Sequence, residues 1–178
     1  MREILIETSG EIGYLAIFQG NQVIEVREIA PPKRQSQELL PLLNELIPVD
    51  EIKEIAIGVG PGAFTGTRIG AMCAKTLAFA KNIPLIPFCS LEGCAPKGCT
   101  AIADAKAGFL YLFDGEKPHL IRPEQLPQDR PLYTPDPLLA QKHKMILHPF
   151  SPAIIAATLS EKPRISWQEL ELLYLRTL

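Results

Sequence analysis

Residues 58–70 read Gly-Val-Gly-Pro-Gly-Ala-Phe-Thr-Gly-Thr-Arg-Ile-Gly, five glycines and a proline within thirteen positions. The apolar run Ile55-Ala56-Ile57 leads in with strand character, and apolar residues at helical spacing over 69–80 lead out. Glycines this dense at a strand-to-helix junction require a tight turn with positive φ or a close approach of the backbone to something else. The first N–H groups of a helix also lie at the positive end of its dipole, a setting that suits an anion. A chain built around such a junction belongs to the α/β class.

The flanking segments fit that class. Residues 4–9, 14–18 and 23–29 are strand-like runs separated by turns at Gly10-Glu11-Ile12-Gly13 and Gly20-Asn21, which predicts an antiparallel meander. Pro31-Pro32 breaks it. A helix is predicted over 36–47, capped by Ser36, with Leu39, Leu40, Leu42, Leu43, Leu46 and Ile47 on one broad face and Pro41 early in its course. A strand over 54–59 then enters the glycine loop. After a boundary at Lys97-Gly98, residues 100–108 repeat the opening theme of an apolar strand, an acidic end (Asp104) and a turn, with strands expected over 109–113 and 119–121. Two related lobes follow, at 1–97 and 98–178. Prolines crowd residues 117–137, so helices there must be short. A buried strand is expected at 145–147, a helix from Ser151-Pro152 to about 160, and a docking tail over 167–175.

The helix after the loop carries two stripes. Ile69, Met72, Cys73, Thr76, Leu77 and Ala80 have core-facing spacing, while Gly66, Gly70, Ala74 and Ala78 recur every fourth residue as a face almost without side chains. A glycine within a helix costs about 1 kcal/mol and requires a reason. Either the small face presses on its own lobe or it admits the backbone of a partner helix.

Several function classes are excluded. A net charge of −2 gives no basic footprint for nucleic acid. No apolar run reaches membrane-spanning length and no signal-peptide core follows Met1, so a cytoplasmic protein without membrane contact is expected. Cys89, Cys94 and Cys99 lack a usual zinc spacing, and with Cys73 they read as reduced thiols. His119, His143 and His148 are scattered. The loop has no Walker A lysine, Pro61 interrupts a dinucleotide fingerprint, and neither a zinc-binding His-Glu-x-x-His nor a nucleophile elbow occurs. Glu7 and Asp104 end strands, either as site carboxylates or as ordinary polar termini. Arg68, a cation in a first helical turn, opposes the dipole and calls for a carboxylate or a bound anion, with the carboxylate favoured.

Residues 60–70 closely resemble the Gly-Pro-Gly-Ser-Phe-Thr-Gly-x-Arg-Ile-Gly signature of the TsaB (YeaZ) family. Ile4 to Ser9 is similar to that family's Ile-Asp-Thr-Ser start, and Ser36-Gln37-Glu38-Leu39-Leu40-Pro41 to its His-Ser-x-x-Leu-Leu-Pro helix. Asp104-Ala105-Lys106 resembles its Asp-Ala-Arg strand end, and Tyr174-Leu175-Arg176 its Tyr-Leu-Arg tail. The resemblance implies an actin/Hsp70-like (ASKHA) fold of two ribonuclease-H-like lobes, the second shortened in its proline-rich part. It implies a non-catalytic dimerisation subunit of the tRNA threonylcarbamoyladenosine synthase, without cofactor or metal, that pairs with a TsaD-like catalytic subunit, is joined by a TsaE-like ATPase and meets tRNA only through the complex. The resemblance also allows a homodimer when the chain is alone and leaves the preference between the two pairings open. Leu39, Leu43, Gly66, Gly70, Cys73, Ala74 and Leu77 are the expected interface residues; Gly62, Thr65, Arg68, Glu7 and Asp104 are candidates for nucleotide or anion contact. Two positions depart from the family pattern, Glu7 for an aspartate and Gln35 where many members have histidine, and both weaken any residual nucleotide or metal site. The alternative is an autonomous ASKHA-type ATPase or phosphotransferase using Glu7 and Asp104 around magnesium. A peptidase reading lacks a nucleophile or a zinc site.

Overall fold

Alternating apolar residues build the first sheet of the chain, seen here in a computed structural model that describes residues 2–29, 34–46, 48 and 51–175. The meander forms as predicted, with β1 (Arg2–Glu7), β2 (Gly13–Gln19) and β3 (Gln22–Ile29) antiparallel. Helix α1 (Gln35–Leu46) carries the chain to β4 (Ile52–Gly58), and α2 (Phe64–Lys81) carries it on to β5 (Leu85–Phe88). β4 lies parallel to β1 and β5 parallel to β4, in the order β3-β2-β1-β4-β5. The period of two sorts side chains between two cores. Ile4, Ile6, Leu15, Ile17, Ile55 and Ile57 point toward α1 and α2. Leu5, Ala16, Phe18, Ala56 and Phe88 point the other way, into a core shared with Ala101, Tyr111 and Phe113 of the second sheet.

Both helices begin earlier than predicted. α1 starts at Gln35, so Ser36 lies in its first turn and does not cap it; the Arg34 carbonyl accepts the N–H groups of Gln37 and Glu38 at 2.9 and 3.1 Å. The expected end at Ile47 lies outside the described residues. α2 starts at Phe64, ahead of the apolar run that begins at Ile69 and with Gly66 and Arg68 inside the helix as expected, because the loop proper is confined to residues 59–63.

The second sheet retraces the path of the first. β6 (Thr100–Asp104), β7 (Leu110–Phe113) and β8 (Pro118–Ile121) form an antiparallel meander, and β9 (Leu132–Thr134) and β10 (Ile146–Leu147) add in parallel, in the order β8-β7-β6-β9-β10. The echo between Glu7 and Asp104 is therefore topological: both residues end the central strand of a five-stranded sheet. The connections differ. Where α1 stands in the first lobe, the second has a 3-10 turn at Pro123–Gln125, and α3 (Pro137–His143) has seven residues against eighteen in α2. The prolines account for both. β10 is an exposed edge and not the buried strand expected at 145–147; of that stretch only Met145 is buried.

After β10 the chain returns to the first sheet. α4 (Pro152–Ala156) ends well before 160 and packs on β2 and β3, and the Phe150 ring lies 5.1 Å from that of Tyr14 and 6.2 Å from that of Phe88. Ile165 and Leu85 exchange backbone hydrogen bonds at 2.9 Å, and Arg164 makes a two-pronged ion pair with the buried Glu54. The Trp167 ring meets Phe79 edge-on at 5.3 Å. The second sheet is thus confined to residues 100–147, and the last part of the expected 98–178 unit lies on the first lobe.

Candidate functional site

The glycine loop is held by its own chain. The Gly60 N–H donates to Ser90 Oγ at 3.0 Å, Ser90 N–H to the Gly60 carbonyl at 2.9 Å, and Val59 N–H to the Phe88 carbonyl at 3.0 Å. Ala63 N–H donates to the Ser9 carbonyl at 2.7 Å, and the tail closes over the loop as Leu173 N–H reaches the Val59 carbonyl at 2.8 Å. Gly62 rests against Ser9. The Val59, Gly60 and Ala63 N–H groups of the loop are therefore engaged internally, and Ser9 and Ser90 press on the loop where the glycine spacing suggested a cradle.

The small face of α2 points inward. A Cβ on Gly66 would lie 1.9 Å from the Thr8 carbonyl oxygen, and one on Gly70 would lie 2.3 Å from the Thr8 hydroxyl and 3.3 Å from Ile6. Ala74 and Ala78 are buried on the same side. Of the two readings left open for this face, packing on its own lobe is the one realised; Gly66, Gly70 and Ala74 have no surface to offer a partner. Leu43 is likewise enclosed in the core.

The other face of α2 is the exposed one. Phe64, Thr65, Arg68, Ile69, Met72, Cys73, Thr76 and Leu77 line a groove of about 560 Å³ whose far wall is Ser36, Leu39 and Leu40 of α1. Met72, expected in the core, is 63 % exposed; Leu40 is 51 % and Phe64 46 % exposed. Of the expected interface residues, Leu39, Cys73 and Leu77 border this groove, together with Thr65 and Arg68 from the anion-contact set. Leu40, Phe64 and Met72 were not among them. Their spacing was visible, but a helix apolar on both sides does not reveal which side is covered.

Among the described residues Arg68 pairs with no carboxylate. Its guanidinium carbon lies 3.6 Å from the Phe64 ring centroid, and Nε–H donates to the Tyr174 hydroxyl at 3.1 Å. The Phe64 and Tyr174 rings are 5.5 Å apart. Two aromatic rings and a hydroxyl replace the expected carboxylate, and one of the rings comes from the far end of the chain.

The strand-end carboxylates have different environments. Glu7 is buried; its Oε1 accepts the Ser9 N–H at 2.6 Å, while Oε2 faces Gly58 without a hydrogen bond. Burial pushes the Glu7 carboxyl above its ordinary range, opposed by the Ser9 and Ser90 hydroxyls and the neighbouring amides. The amide of the fully buried Gln35 also has no hydrogen-bond partner among the described residues and faces Gly13 and Gly66. Asp104 is more open. Partial burial raises its pKa, but the Lys106 ammonium at 2.8 Å and the Lys106 N–H at 2.8 Å prevail and hold it below the usual range. Among the described residues no three His, Cys, Asp or Glu side chains converge as a metal site. Cys73, Cys89 and Cys94 are buried free thiols, and Cys99 is half-buried.

A family model described as "TsaD: tRNA N6-adenosine threonylcarbamoyltransferase" matches residues 33–126, which hold α1, the glycine loop, α2 and the start of the second sheet. A Haemophilus influenzae protein named "tRNA threonylcarbamoyladenosine biosynthesis protein TsaB" is 30 % identical over 97 residues, 52 % of this chain and 41 % of that protein. The Escherichia coli protein of the same name is 31 % identical over 124 residues, 62 % of this chain and 53 % of that one. The chain spans about half the length of the curated relatives it matches. A crystal structure described as an uncharacterized protein with similarity to peptidase YEAZ, from Pseudomonas aeruginosa, superposes with a TM-score of 0.81 at 20 % identity, covering 98 % of this chain and 99 % of that one. Among the described residues no helix is long and apolar enough to cross a membrane.

Proposed function

The chain belongs to the TsaB (YeaZ) family and has its α/β two-lobe, actin/Hsp70-like fold, and from that premise we propose that it is a non-catalytic subunit of a tRNA N6-threonylcarbamoyladenosine synthase. Its task is to dock a TsaD-like catalytic subunit on the α1–α2 face and support modification of the adenosine beside the anticodon. The observation that carries this reading is the groove itself. Leu40, Phe64 and Met72 stand exposed around it, with Ile69 and Leu77 half-buried beside them. A concentrated apolar patch of that kind marks a protein contact. The segment that bears it lies within the family-model match.

A scaffold role also agrees with the interior. The Val59, Gly60 and Ala63 amides are bonded to Phe88, Ser90 and Ser9, and Glu7 is enclosed at the sheet end, an arrangement that stabilises the lobe. A TsaE-like ATPase joins the larger complex, tRNA is reached through it, and the same face supports self-association when the partner is absent. The location follows as cytoplasmic.

The test is the double variant Leu40→Asp plus Met72→Asp. Both side chains are exposed, so the fold is retained, and co-purification with the TsaD-like subunit is expected to be lost together with complex-dependent threonylcarbamoylation of tRNA. Unchanged co-purification by this folded variant would overturn the docking face.

A further inference from the structure

The residues lining the groove are apolar or carry hydroxyls, with a single exception. Among the described lining residues Arg68 is the one charged side chain. It is also unusually well held. Phe64 covers one face of its guanidinium at 3.6 Å, and the Tyr174 hydroxyl accepts from Nε at 3.1 Å. Nη1 and Nη2 make no hydrogen bond or ion pair among the described residues. A free arginine on a long stem loses considerable rotamer entropy when it binds, whereas a planar fork already stacked and anchored loses little. An unpaired cation at the mouth of an apolar contact surface is costly to cover unless the partner brings an opposite charge to meet it.

The anchor is itself informative. Tyr174 is delivered by the tail, which is tied to the loop by the Leu173–Val59 hydrogen bond and to the sheet by Ile165–Leu85. The tail therefore holds the side chain that orients the one cation among the described lining residues. The chemistry of the occupant follows from charge. A nucleic acid would need several cations to neutralise successive phosphates, and the described lining of this groove offers one within a chain of net charge −2. One fork-shaped cation amid apolar surface is complementary to one carboxylate on an otherwise apolar protein surface.

We propose that Arg68, held by Phe64 and Tyr174, receives a carboxylate of the TsaD-like subunit, and that the C-terminal tail is thereby part of the partner-binding face. This rests on the docking role proposed above. Arg68 makes the contact and Tyr174 is a positioning residue.

The test is the affinity of the full chain for the purified TsaD-like subunit, measured at low and at high salt for Arg68→Met, Arg68→Lys, Tyr174→Phe and the Leu40→Asp plus Met72→Asp double variant. Melting temperatures verify that each is folded. Arg68→Met is expected to weaken binding about 30-fold or more and to flatten the salt dependence, as loss of one partner of a desolvated pair does. Arg68→Lys keeps the charge but not the fork, and so restores the salt dependence with only part of the affinity. Tyr174→Phe keeps the ring and removes the acceptor, with a loss of severalfold. If the double variant abolishes binding while Arg68→Met stays within about twofold of the parent at both salts, the carboxylate contact is overturned and the docking role stands. If the double variant binds like the parent, both are overturned. If Arg68→Met lowers tRNA retention by the complex without changing the protein–protein affinity, the anion is a phosphate and the proposal is wrong.

Discussion

A Cβ at Gly66 would lie 1.9 Å from the carbonyl oxygen of Thr8, while the Thr8 hydroxyl donates to the Gly66 carbonyl at 2.8 Å. Helix α2 is thus laid directly on the end of β1, backbone to backbone. The glycine at 66 exists because no side chain fits between them. Gly66→Ala must push the helix off the strand, and a loss of about 3 kcal/mol or more is expected, at the upper end of overpacking costs. Gly70→Ala meets the Thr8 hydroxyl at 2.3 Å, an atom that can rotate away, and should cost less. Urea denaturation of the two variants checks the order.

Glu7 makes stability depend on pH. Burial raises its folded-state pKa, so the folded protein favours the protonated acid. Its stabilising contribution is full below the unfolded-state pKa and is lost as pH rises through the raised folded value. Glu7→Gln keeps an acceptor for the Ser9 N–H and removes the buried charge. The variant is expected to melt a few degrees higher than the parent at pH 8, and the two should converge toward pH 4. Melting curves across that range test the sign.

The Glu54–Arg164 pair fastens the returning tail. Arg164 contacts Glu54 Oε2 through Nε at 3.2 Å and Oε1 through Nη2 at 3.1 Å, and its Nη1 donates to the carbonyls of Leu159 and Lys162. Arg164→Met strands a buried carboxylate. A cost of about 3 kcal/mol is expected, the low end for a broken buried pair because the arginine is itself partly exposed. Adding Glu54→Gln should recover part of it. Thermal unfolding of the single and double variants measures both effects.

Burial dominates the thiol reactivities, with the Glu7 carboxylate adding to it at Cys89 and Cys94. It pushes Cys73 up to about 11 and Cys89 up to about 12, and Cys94 higher still. Thiolates are the reactive form, so these three should resist a disulfide reagent at pH 8 until the protein is denatured. Half-buried Cys99 is expected to react first, and Cys99→Ser should remove the fast phase of colour release.

Much of the architecture was legible in local residue order. The meander follows from short alternating runs and glycine turns, and the second lobe was visible as Asp104 repeating Glu7 at a strand end. The prolines of 117–137 foretold the reduced crossovers. The glycine junction was recognised as a close approach, yet its occupant was not, because a glycine says only that space is lacking and not what fills it. The groove was missed for a related reason. Both faces of α2 are apolar, and periodicity measures spacing, not direction. Contact between Gly66 and Thr8 turned the small face inward and left Phe64 and Met72 outside. Arg68 was noticed as a misplaced cation, but its partner Tyr174 lies 106 residues along the chain. Residue order alone determined the two meanders, the glycine junction between β4 and α2, and the positions where backbones must meet, but not β9 or α3. Only the tertiary structure decided which face of α2 is covered and what Arg68 touches, because both depend on atoms brought together from distant parts of the chain.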